Sequence, residues 1–441
     1  MKKTLSFVLT LCLLISSAMF SSSATGTTVK KVSLGGYHSA ILGNNGNLYT
    51  FGYNVYGQLG DGTTEDRLEP TKIMENIKNV SLGDMHTAAV TNSGELFIWG
   101  RNSNGQLGTG DNQDTVSPVK IMDNIKEVAL GSNHTLALTE SGDVYGWGYN
   151  SSGQAAGSNL GERDQLTPVK VMGGAEHIFA GGYHSAAITP DGDLYMWGRN
   201  WYGEYGDGTT DDSDGPKKIA KNIASVSLGY QHSAILTNDG VLYTCGDNGN
   251  GQLGNGKKDY VNTELFKVMD NVKAVCAKRD HTAAIDQNGN LYCWGENTYG
   301  AIGIESVKYS TVPVKVMENA EEIILGNWHS AAICSDGKIY MSGKNNRGSL
   351  GNGKTEDLNV FTQTIDMSIF DEPDEILYGD ANLDGKIDIT DATEVQKIVA
   401  QITAPNATQQ LTADVNFDGK ISVEDATIIQ KFCSEIFESF R

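Results

Sequence analysis

The chain has 441 residues, enough for about two to four domains, and its 52 glycines and 8 prolines show no Gly-X-Y period, which excludes collagen and proline-rich linker proteins. Its 39% hydrophobic content, taken with the glycine, is typical of a globular protein. The 33 basic and 54 acidic residues give a net charge of −21, which argues against nucleic acid and anionic membranes as partners and favours divalent cations and neutral or basic partners.

The N-terminus has the pattern of a secretory signal peptide. Lys2 and Lys3 precede an apolar run from Leu5 to Ile15, and small residues up to Ala24 offer a cleavage site. The run has about 11 residues, too short to span a bilayer, and no later run is long enough. We therefore predict a signal peptide over residues 1–24 and a secreted, extracellular protein without membrane insertion.

Seven copies of one unit occupy the middle of the chain. The phrase V-x-L-G-x-x-H-[ST]-x-A recurs with its histidines 48, 48, 50, 48, 49 and 48 residues apart. These histidines are His38, His86, His134, His184, His232, His281 and His329. About fourteen residues after each histidine comes aromatic-Gly-x-Asn, as in Trp99-Gly100-Arg101-Asn102. Each unit contains four short apolar runs separated by turn signals, so we predict a mainly β protein with a seven-bladed β-propeller over residues 29–369.

These motifs resemble the regulator of chromosome condensation repeat, whose members form seven-bladed propellers. The resemblance covers about three quarters of the chain and implies the fold, but members of that family serve as exchange factors, light sensors and protein-binding platforms, so it implies no single function. We interpret the repeated histidines as structural, each satisfying backbone groups of its own blade. The tryptophans that precede glycine are interpreted as packing between blades.

Five cysteines lie beyond the N-terminal apolar run: Cys245, Cys276, Cys293, Cys334 and Cys433. An odd, sparse set without a C-x-x-C pair predicts neither a disulfide framework nor a zinc site. We expect them to be small buried hydrophobic residues in strands.

Positions at which the seven copies differ mark a candidate binding face. In a four-stranded blade, the turn after the first strand and the turn after the third leave at the same end, and variable aromatic residues occupy both turns. We expect a protein or glycan ligand at this rim, with the anchors Tyr37, Tyr183, Trp201, Tyr230 and Trp328. The alternative is that these aromatics are exposed loop residues without a partner.

Two calcium-loop motifs follow an acidic linker predicted over residues 370–377. Ca²⁺ takes six to eight oxygens, which positions 1, 3, 5, 7, 9 and 12 of such a loop supply, with glycine at position 6 for the sharp turn. The first loop predicts ligation by Asp380, Asn382, Asp384, the Lys386 carbonyl, Asp388 and Asp391. The second predicts Asp414, Asn416, Asp418, the Lys420 carbonyl, Ser422 and Asp425. The sequence therefore predicts two bound Ca²⁺ ions.

Both loops end in aspartate, where the EF-hand signature has glutamate, and each runs into a helical segment with no comparable helix leading in. This paired loop-helix, over residues 378–441, is identified as a member of the type I dockerin family, a small α-helical calcium-binding domain. The resemblance implies that the partner is a cohesin module of a scaffoldin. It also implies that the cohesin is bound by Ile389, Thr390, Gln396, Lys397, Val423, Glu424, Gln430 and Lys431.

No catalytic pair stands out, although dockerins usually deliver enzymes that degrade plant polysaccharides. The acids of the repeats lie mostly in turns, as at Asp61, Asp111 and Asp207, and no nucleophile elbow, zinc-protease motif or phosphate loop is present. We therefore expect a non-catalytic adaptor, attached to a scaffoldin in a cellulosome-type complex. The alternative is a glycoside hydrolase of polysaccharide catabolism with an unrecognised site on the propeller.

Overall fold

A computed structural model describes residues 29–156, 164–367, 378–382, 386–405, 407–416 and 419–434. The chain divides into two compact units, Met1–Met367 and Ser368–Arg441. The signal peptide predicted over residues 1–24 and the linker predicted over residues 370–377 lie outside the described residues. In the described ranges, no helix combines the length and the apolar character that crossing a membrane requires.

The first unit consists of seven four-stranded antiparallel sheets, named blades 1 to 7 in chain order, and each blade takes its strands from consecutive segments. Blade 1 has β1 (Val29–Leu34), β2 (His38–Gly43), β3 (Leu48–Gly52) and β4 (Arg67–Met74). Blade 2 has β5 (Ile77–Leu82), β6 (His86–Thr91), β7 (Leu96–Gly100) and β8 (Thr115–Met122). Blade 3 has β9 (Ile125–Leu130), β10 (His134–Thr139), β11 (Val144–Gly148) and β12 (Gln165–Met172).

The remaining four blades repeat this order. Blade 4 has β13 (His177–Ala180), β14 (His184–Ile188), β15 (Leu194–Gly198) and β16 (Ser213–Ala220). Blade 5 has β17 (Ile223–Leu228), β18 (His232–Thr237), β19 (Leu242–Gly246) and β20 (Phe266–Met269). Blade 6 has β21 (Val272–Lys278), β22 (His281–Asp286), β23 (Leu291–Glu296) and β24 (Tyr309–Met317). Blade 7 has β25 (Ala320–Leu325), β26 (His329–Cys334), β27 (Ile339–Gly343) and β28 (Leu358–Gln363).

The predicted seven-bladed propeller is confirmed. The first strand of each blade contacts the first strand of the next, from β1 through β25 and back to β1, so these strands surround the axis. The second strand is buried along its length, as in β6, because neighbouring blades cover both faces of the sheet. The fourth strand lies at the circumference, and every residue of β8, for example, is exposed or half-buried.

The apolar cores lie between blades. Trp99 of blade 2, fully buried, packs in one cluster with Ala40, Leu42 and Leu48 of blade 1. Trp147 of blade 3 packs in the same way against residues of blade 2. The tryptophans before glycine therefore join successive blades, as the repeat pattern predicts, and burying each large ring contributes about 3 kcal/mol or more to stability.

The ring closes without exchange of a strand between the first and last blades. Each described sheet contains only consecutive strands, and blade 7 meets blade 1 through side chains and single backbone bonds. The backbone N–H of Asn327 donates to the Gly35 carbonyl at 3.0 Å. The same kind of bond joins blades 1 and 2, where Gly36 N–H donates to the Asp84 carbonyl at 3.1 Å, so the closing interface repeats the others.

The second unit contains α1 (Ile389–Val399), α2 (Ala407–Thr412) and α3 (Val423–Cys433). Helices α1 and α3 contact each other over a small buried core. That core consists of Ala381, Ala392, Val395, Ala413, Val415, Ala426 and Ile429. A short helix does lead into the second loop: α2 has six residues, against eleven in α1 and α3, and ends two residues before Asp414.

All five described cysteines are free thiols. Cys245, Cys293 and Cys334 are buried, whereas Cys276 and Cys433 are half-buried, and Cys433 lies at the end of α3 instead of in a strand. The cysteines therefore contribute to packing and not to cross-links within the described part of the chain.

Candidate functional site

The repeated histidines join neighbouring blades. In the junction of blades 1 and 2, the His38 imidazole Nε2 lies 2.8 Å from the Thr87 hydroxyl, and that hydroxyl donates to the Gln58 carbonyl at 2.8 Å. The Trp99 indole N–H donates to the same carbonyl at 3.0 Å. The expectation that each histidine satisfies backbone groups of its own blade is wrong, because the imidazole reaches a side chain of the next blade.

This arrangement, called the histidine latch here, occurs at six of the seven junctions. The imidazole Nε2 and the hydroxyl oxygen of the next blade lie 2.8 to 3.3 Å apart at each of them. Because the single hydroxyl proton is given to the backbone carbonyl, Nε2 must carry the proton that joins the pair. The six latches pair His38 with Thr87, His86 with Thr135, His134 with Ser185, His184 with Ser233, His232 with Thr282, and His329 with Ser39.

The seventh junction lacks the latch, since Nε2 of the buried His281 has no hydrogen-bond partner. The sequence next to it differs from the other copies, because Lys278 stands where they have glycine. At Gly83, for example, an added Cβ would lie 2.2 Å from Cε1 of His86. The Cβ of Lys278 therefore excludes the ring position that the latch requires, which accounts for the missing Nε2 contact of His281.

Burial keeps the imidazoles neutral. Desolvation lowers the pKa of His86, His134 and His329 to about 3, against an ordinary value of 6.5. Neutral rings, each fully buried and tied between blades, do not form a proton relay at physiological pH.

Two turns of every blade form one rim around the axis, as the sequence predicts. The residue before each histidine offers its carbonyl to the residue after each aromatic-Gly pair; Arg101 N–H, for instance, donates to the Met85 carbonyl at 2.9 Å. Gly100 makes this approach possible, because its φ is +103° and an added Cβ would lie 2.7 Å from that carbonyl oxygen. The rim is therefore a fixed surface on which the variable side chains stand.

The five predicted anchors all lie on this rim, but only Trp201 is an exposed ring, with 61% of its surface accessible. Tyr183 and Tyr230 meet edge to face with their ring centroids 5.2 Å apart. Trp328 Nε1 donates to the Tyr37 hydroxyl at 2.8 Å across the junction of blades 7 and 1. Four of the anchors are thus half-buried rings that form two contacting pairs, and Trp201 is a protruding ring.

Cations that the sequence reading did not single out lie among these rings. The Arg199 guanidinium lies 4.0 Å from the centre of the Tyr183 ring, and its Nε lies 3.3 Å from Oε1 of Glu204. Burial raises the pKa of Glu204 to about 7. Arg279 lies 3.3 Å over the Trp328 ring and pairs with Asp280 at 3.4 Å.

A signal for these cations was present in the repeats. Glu204 occupies the place where four other copies have glutamine, and Arg199 occupies the variable position of aromatic-Gly-x-Asn. A carboxylate in a glutamine position requires a cation nearby, so the pair could have been found by comparing the copies at both positions.

The two calcium-loop motifs each end on a buried aspartate. Asp391 accepts the backbone N–H of Asn382 at 3.0 Å on one oxygen and that of Asp388 at 2.8 Å on the other. Asp425 accepts Val415 N–H at 3.1 Å and Ser422 N–H at 2.8 Å in the second copy. Position 12 therefore ties the beginning of each loop to its end.

The same aspartates also begin the helices. Asp388 and Asp391 form a capping box at the start of α1, and Ser422 and Asp425 form one at the start of α3. Aspartate at position 12 thus serves the helix as its third residue while it faces the loop.

The described donors have the chemistry that calcium requires. Burial raises the pKa of Asp391, and the neighbouring charges of Asp380 and Asp388 add to the effect. Buried carboxylates that repel one another fit a hard cation. Asp384 and Asp418 lie outside the described residues, and within the described ranges no group of three or more His, Cys, Asp and Glu side chains is placed to hold a metal ion.

The residues implied in cohesin binding fall at equivalent places on α1 and α3. Ile389 and Val423 are exposed apolar residues at 56% and 59% accessibility. Thr390, Gln396, Lys397, Glu424 and Lys431 are also exposed, and Gln430 is half-buried. The two helices differ at their second residue. In α1 the Thr390 hydroxyl donates to Asp388 at 2.7 Å, whereas in α3 Glu424 carries a negative charge.

The fold and both sites define a seven-bladed propeller joined to a duplicated loop-helix unit. The RCC1-like domain matches residues 14–271, regulator of chromosome condensation (RCC1) repeats match residues 272–301 and 288–333, and the dockerin type I domain matches residues 378–432. The chain belongs to the family of RCC1-like domain proteins, and it carries a dockerin type I domain at its C-terminus.

Similar solved structures share the propeller fold. Human WBSCR16 is 20% identical, with a TM-score of 0.65 over 73% of this chain and 94% of that one. Prp20p from Saccharomyces cerevisiae is 21% identical, with a TM-score of 0.65 over 73% of this chain and 86% of that one.

Among curated proteins, a stretch of 43 residues is 49% identical to E3 ubiquitin-protein ligase MYCBP2 from Danio rerio. That stretch is 10% of this chain, and the match spans 1% of the length of that protein.

Proposed function

We propose that this protein is a secreted adaptor whose dockerin domain attaches to a cohesin module of a scaffoldin and whose propeller is presented as a protein- or glycan-binding module. The single observation that carries the proposal is the duplicated loop-helix, in which two buried position-12 aspartates close matching loops. The signal-peptide pattern of residues 1–24 supports an extracellular site of action, associated with a scaffold or a cell surface.

Calcium binding is assigned to both loops, one ion in each. The ligands are Asp380, Asn382, Asp384, the Lys386 carbonyl, Asp388 and Asp391 in the first loop, and Asp414, Asn416, Asp418, the Lys420 carbonyl, Ser422 and Asp425 in the second. A bound Ca²⁺ supplies positive charge that offsets the repulsion among these carboxylates. Because the core between α1 and α3 consists largely of alanine and valine, ordering of the loops contributes a large share of the unit's stability.

The cohesin-binding surface is assigned to the exposed residues at the start and middle of α1 and α3. Ile389 and Val423 supply the apolar contact in each half, and the lysines near the helix ends supply charge. Because Thr390 and Glu424 differ in charge, the two halves are not equivalent, and we expect one orientation on the cohesin to be preferred.

The propeller rim is the presented surface. Aromatic and arginine side chains concentrate there, which is the composition of energetically important centres in protein interfaces. The binding of Prp20p to Gsp1p and histones has been described for that protein. Since that likeness extends to the fold alone, the proposal rests on the side chains of this rim.

Cohesin capture tests the attachment. Full-length protein is passed over immobilised cohesin modules in calcium or in chelator, with variants Ile389→Asp, Val423→Asp and the double variant. Ile402→Asp is the matched control, because Ile402 is a 73% exposed apolar residue of the same unit that lies outside the proposed surface.

We expect binding in calcium only, loss in the double variant, unequal losses in the single variants and no loss in the control. Binding that persists in chelator, or that survives the double variant, would contradict the assignment.

A further inference from the structure

The glycine three residues before each latch histidine leaves room for the imidazole ring, and blade 6 is the blade without glycine at this position. At Gly35, Gly131 and Gly229 an added Cβ would lie 2.2 to 2.5 Å from the histidine Cε1 atom and within 3.0 Å of a neighbouring carbonyl oxygen. Blade 6 nevertheless has Lys278 here, and it lacks the His281 latch. A residue that sacrifices a stabilising contact is a candidate for a functional role.

Lys278 is the last residue of β21, the strand of blade 6 nearest the axis, and its half-buried side chain adjoins the turn that forms the rim. Burial lowers the pKa of His38, His86 and His134, and the positive charge of Lys278 adds to that effect. A lysine at the inner edge of the rim therefore places a positive charge at the mouth of the propeller.

Two further cations stand on the same rim. Lys344 Nζ lies 4.3 Å from the centre of the Tyr299 ring and 5.2 Å from that of Tyr37. The Arg101 guanidinium lies 5.2 Å from the centre of the Tyr56 ring. Lys278, Lys344 and Arg101, called the mouth cations here, have no carboxylate oxygen within 4.0 Å in the described parts of the chain.

The acidic residues of the rim have partners other than these three cations. Asp84 accepts the Asn327 side-chain amide at 3.0 Å, and Asp247 accepts that of Gln252 at 2.8 Å. Asp280 and Glu296 share Arg279, at 3.4 and 3.6 Å. The mouth cations thus form no ion pair in the described residues, in a chain whose net charge is −21.

The ring geometry favours a protein over a glycan. A sugar stacks on an open aromatic face such as that of Trp201, but the rings around the mouth cations are covered: Arg279 covers a face of Trp328 at 3.3 Å and Lys344 lies over Tyr299 at 4.3 Å. Tyrosine, tryptophan and arginine packed in this way are typical of the centres of protein interfaces, and an ammonium or guanidinium group pairs with a carboxylate.

We propose that the mouth of the propeller is a docking site for an acidic segment of a partner protein, whose carboxylates pair with Lys278, Lys344 and Arg101 between the rim aromatics. This inference rests on the proposed function for the presentation of the rim, and it adds the chemistry of the ligand. Lys278 is retained in place of glycine because it supplies the central charge.

Binding of defined probes tests the site. Calcium-loaded full-length protein is titrated with short peptides that combine Asp and Glu with apolar residues, each compared with its Asn and Gln counterpart. Polygalacturonate and a neutral β-glucan are the glycan arms. The variants are Lys278→Gly, which restores the residue of the other six copies, and Lys344→Gln, with Lys221→Gln as control, because Lys221 is exposed in the turn between β16 and β17 at the opposite end of the blade.

We expect acidic peptides to bind in a salt-sensitive manner, the amide peptides to bind at least about tenfold more weakly, and each mouth variant to lose about tenfold in affinity. The control variant should bind like the unaltered protein. Preferential binding of either glycan, equal binding of acidic and amide peptides, or undiminished binding by Lys278→Gly would overturn the proposal. Cohesin capture of the same preparations separates this outcome from failure of the attachment, because no mouth variant alters the dockerin domain.

Discussion

The two units of this chain both arise from repeated segments, yet their copies are held together by different means. In the propeller, six of the seven junctions carry a histidine latch, and at four of them a buried tryptophan of the next blade donates to the same carbonyl as the latch hydroxyl. In the C-terminal unit, α1 and α3 meet over a few small side chains, and each loop closes on an aspartate surrounded by other acids. In the first unit, repeated segments therefore stabilise one another by direct contacts. In the second unit, each repeated loop brings carboxylates together, and their repulsion is offset by a bound cation.

Removal of calcium should have the largest effect of these changes, and it should affect only the second unit. In excess chelator we expect α1 and α3 to lose their protection from hydrogen exchange, because the loop carboxylates repel and the core is too small to hold them. Protection of β2 and its counterparts in other blades should not change. Hydrogen exchange followed by mass spectrometry resolves the two regions in one sample. Helices that stay protected in chelator would show that the second unit is stabilised like the first.

Acid should destabilise the propeller by several kcal/mol. The latch histidines are neutral when folded, with the pKa of His86, His134 and His232 lowered to about 3, and each takes up a proton on unfolding below pH 6.5. Stability is therefore complete above pH 6.5 and falls as the pH drops toward 3, by about 1.4 kcal/mol per pH unit for each such histidine.

Four acids of the propeller oppose this effect, because burial raises the pKa of Glu204, Asp247, Asp280 and Glu322. Burial raises the pKa of Glu204 to about 7 and that of Asp280 to about 6, so these groups bind protons in the folded state and favour it on acidification. Seven histidines outweigh four acids, and urea unfolding of the propeller at pH 7 and pH 5 should show a net loss of stability. Equal stability at the two pH values would contradict the prediction that the neutral imidazoles dominate.

Loss of a single latch should lower the free energy of unfolding by less than acidification does. His134→Ala removes a buried ring together with its bond to Ser185 and should cost about 2–4 kcal/mol in free energy of unfolding. His281→Ala is the matched variant, because its Nε2 has no bond to lose, and it should cost about 1 kcal/mol less. Denaturant titration measures both.

Lys278→Gly sharpens this test. In that background we expect His281→Ala to become as costly as His134→Ala, since the glycine lets the ring reach Ser330. A double-mutant cycle reports the coupling. An unchanged cost of His281→Ala would show that Lys278 is not the cause of the missing latch.

The smallest effects should come from the rim. Trp328→Ala removes a hydrogen bond to Tyr37 and a ring packed under Arg279, so it should cost about 1–3 kcal/mol. Trp201→Ala removes a ring that is 61% exposed and should change stability by less than about 0.5 kcal/mol. Thermal unfolding distinguishes them, and a large loss for Trp201→Ala would place that ring in the packed structure.

The architecture could be predicted from the sequence because the copies repeat. A histidine phrase every 48 to 50 residues fixes the number of blades, and the order of apolar runs fixes the four strands. The loop motifs fix the second unit in the same way, since oxygen donors at set positions have one common use.

The partners within the rim could not be predicted, because they cross between copies. The bond from Trp328 to Tyr37 joins residues 291 positions apart, and no spacing rule links them. For the same reason the sequence does not identify the partner of each latch histidine, which is a hydroxyl in the next copy. The missing latch of His281 could not be predicted either, because it depends on how close a Cβ at the glycine position comes to the ring in the folded protein.

The closure of the ring has a consequence for the gene. Because every blade is one uninterrupted segment that carries half of each flanking interface, a recombination event at repeat boundaries moves a whole blade with its contacts. Duplication of DNA of that length would add a blade. Exchange of one repeat for another would bring a different set of turn residues to the rim. Such events would change the turn residues of the rim one blade at a time, while the contacts between blades stay the same.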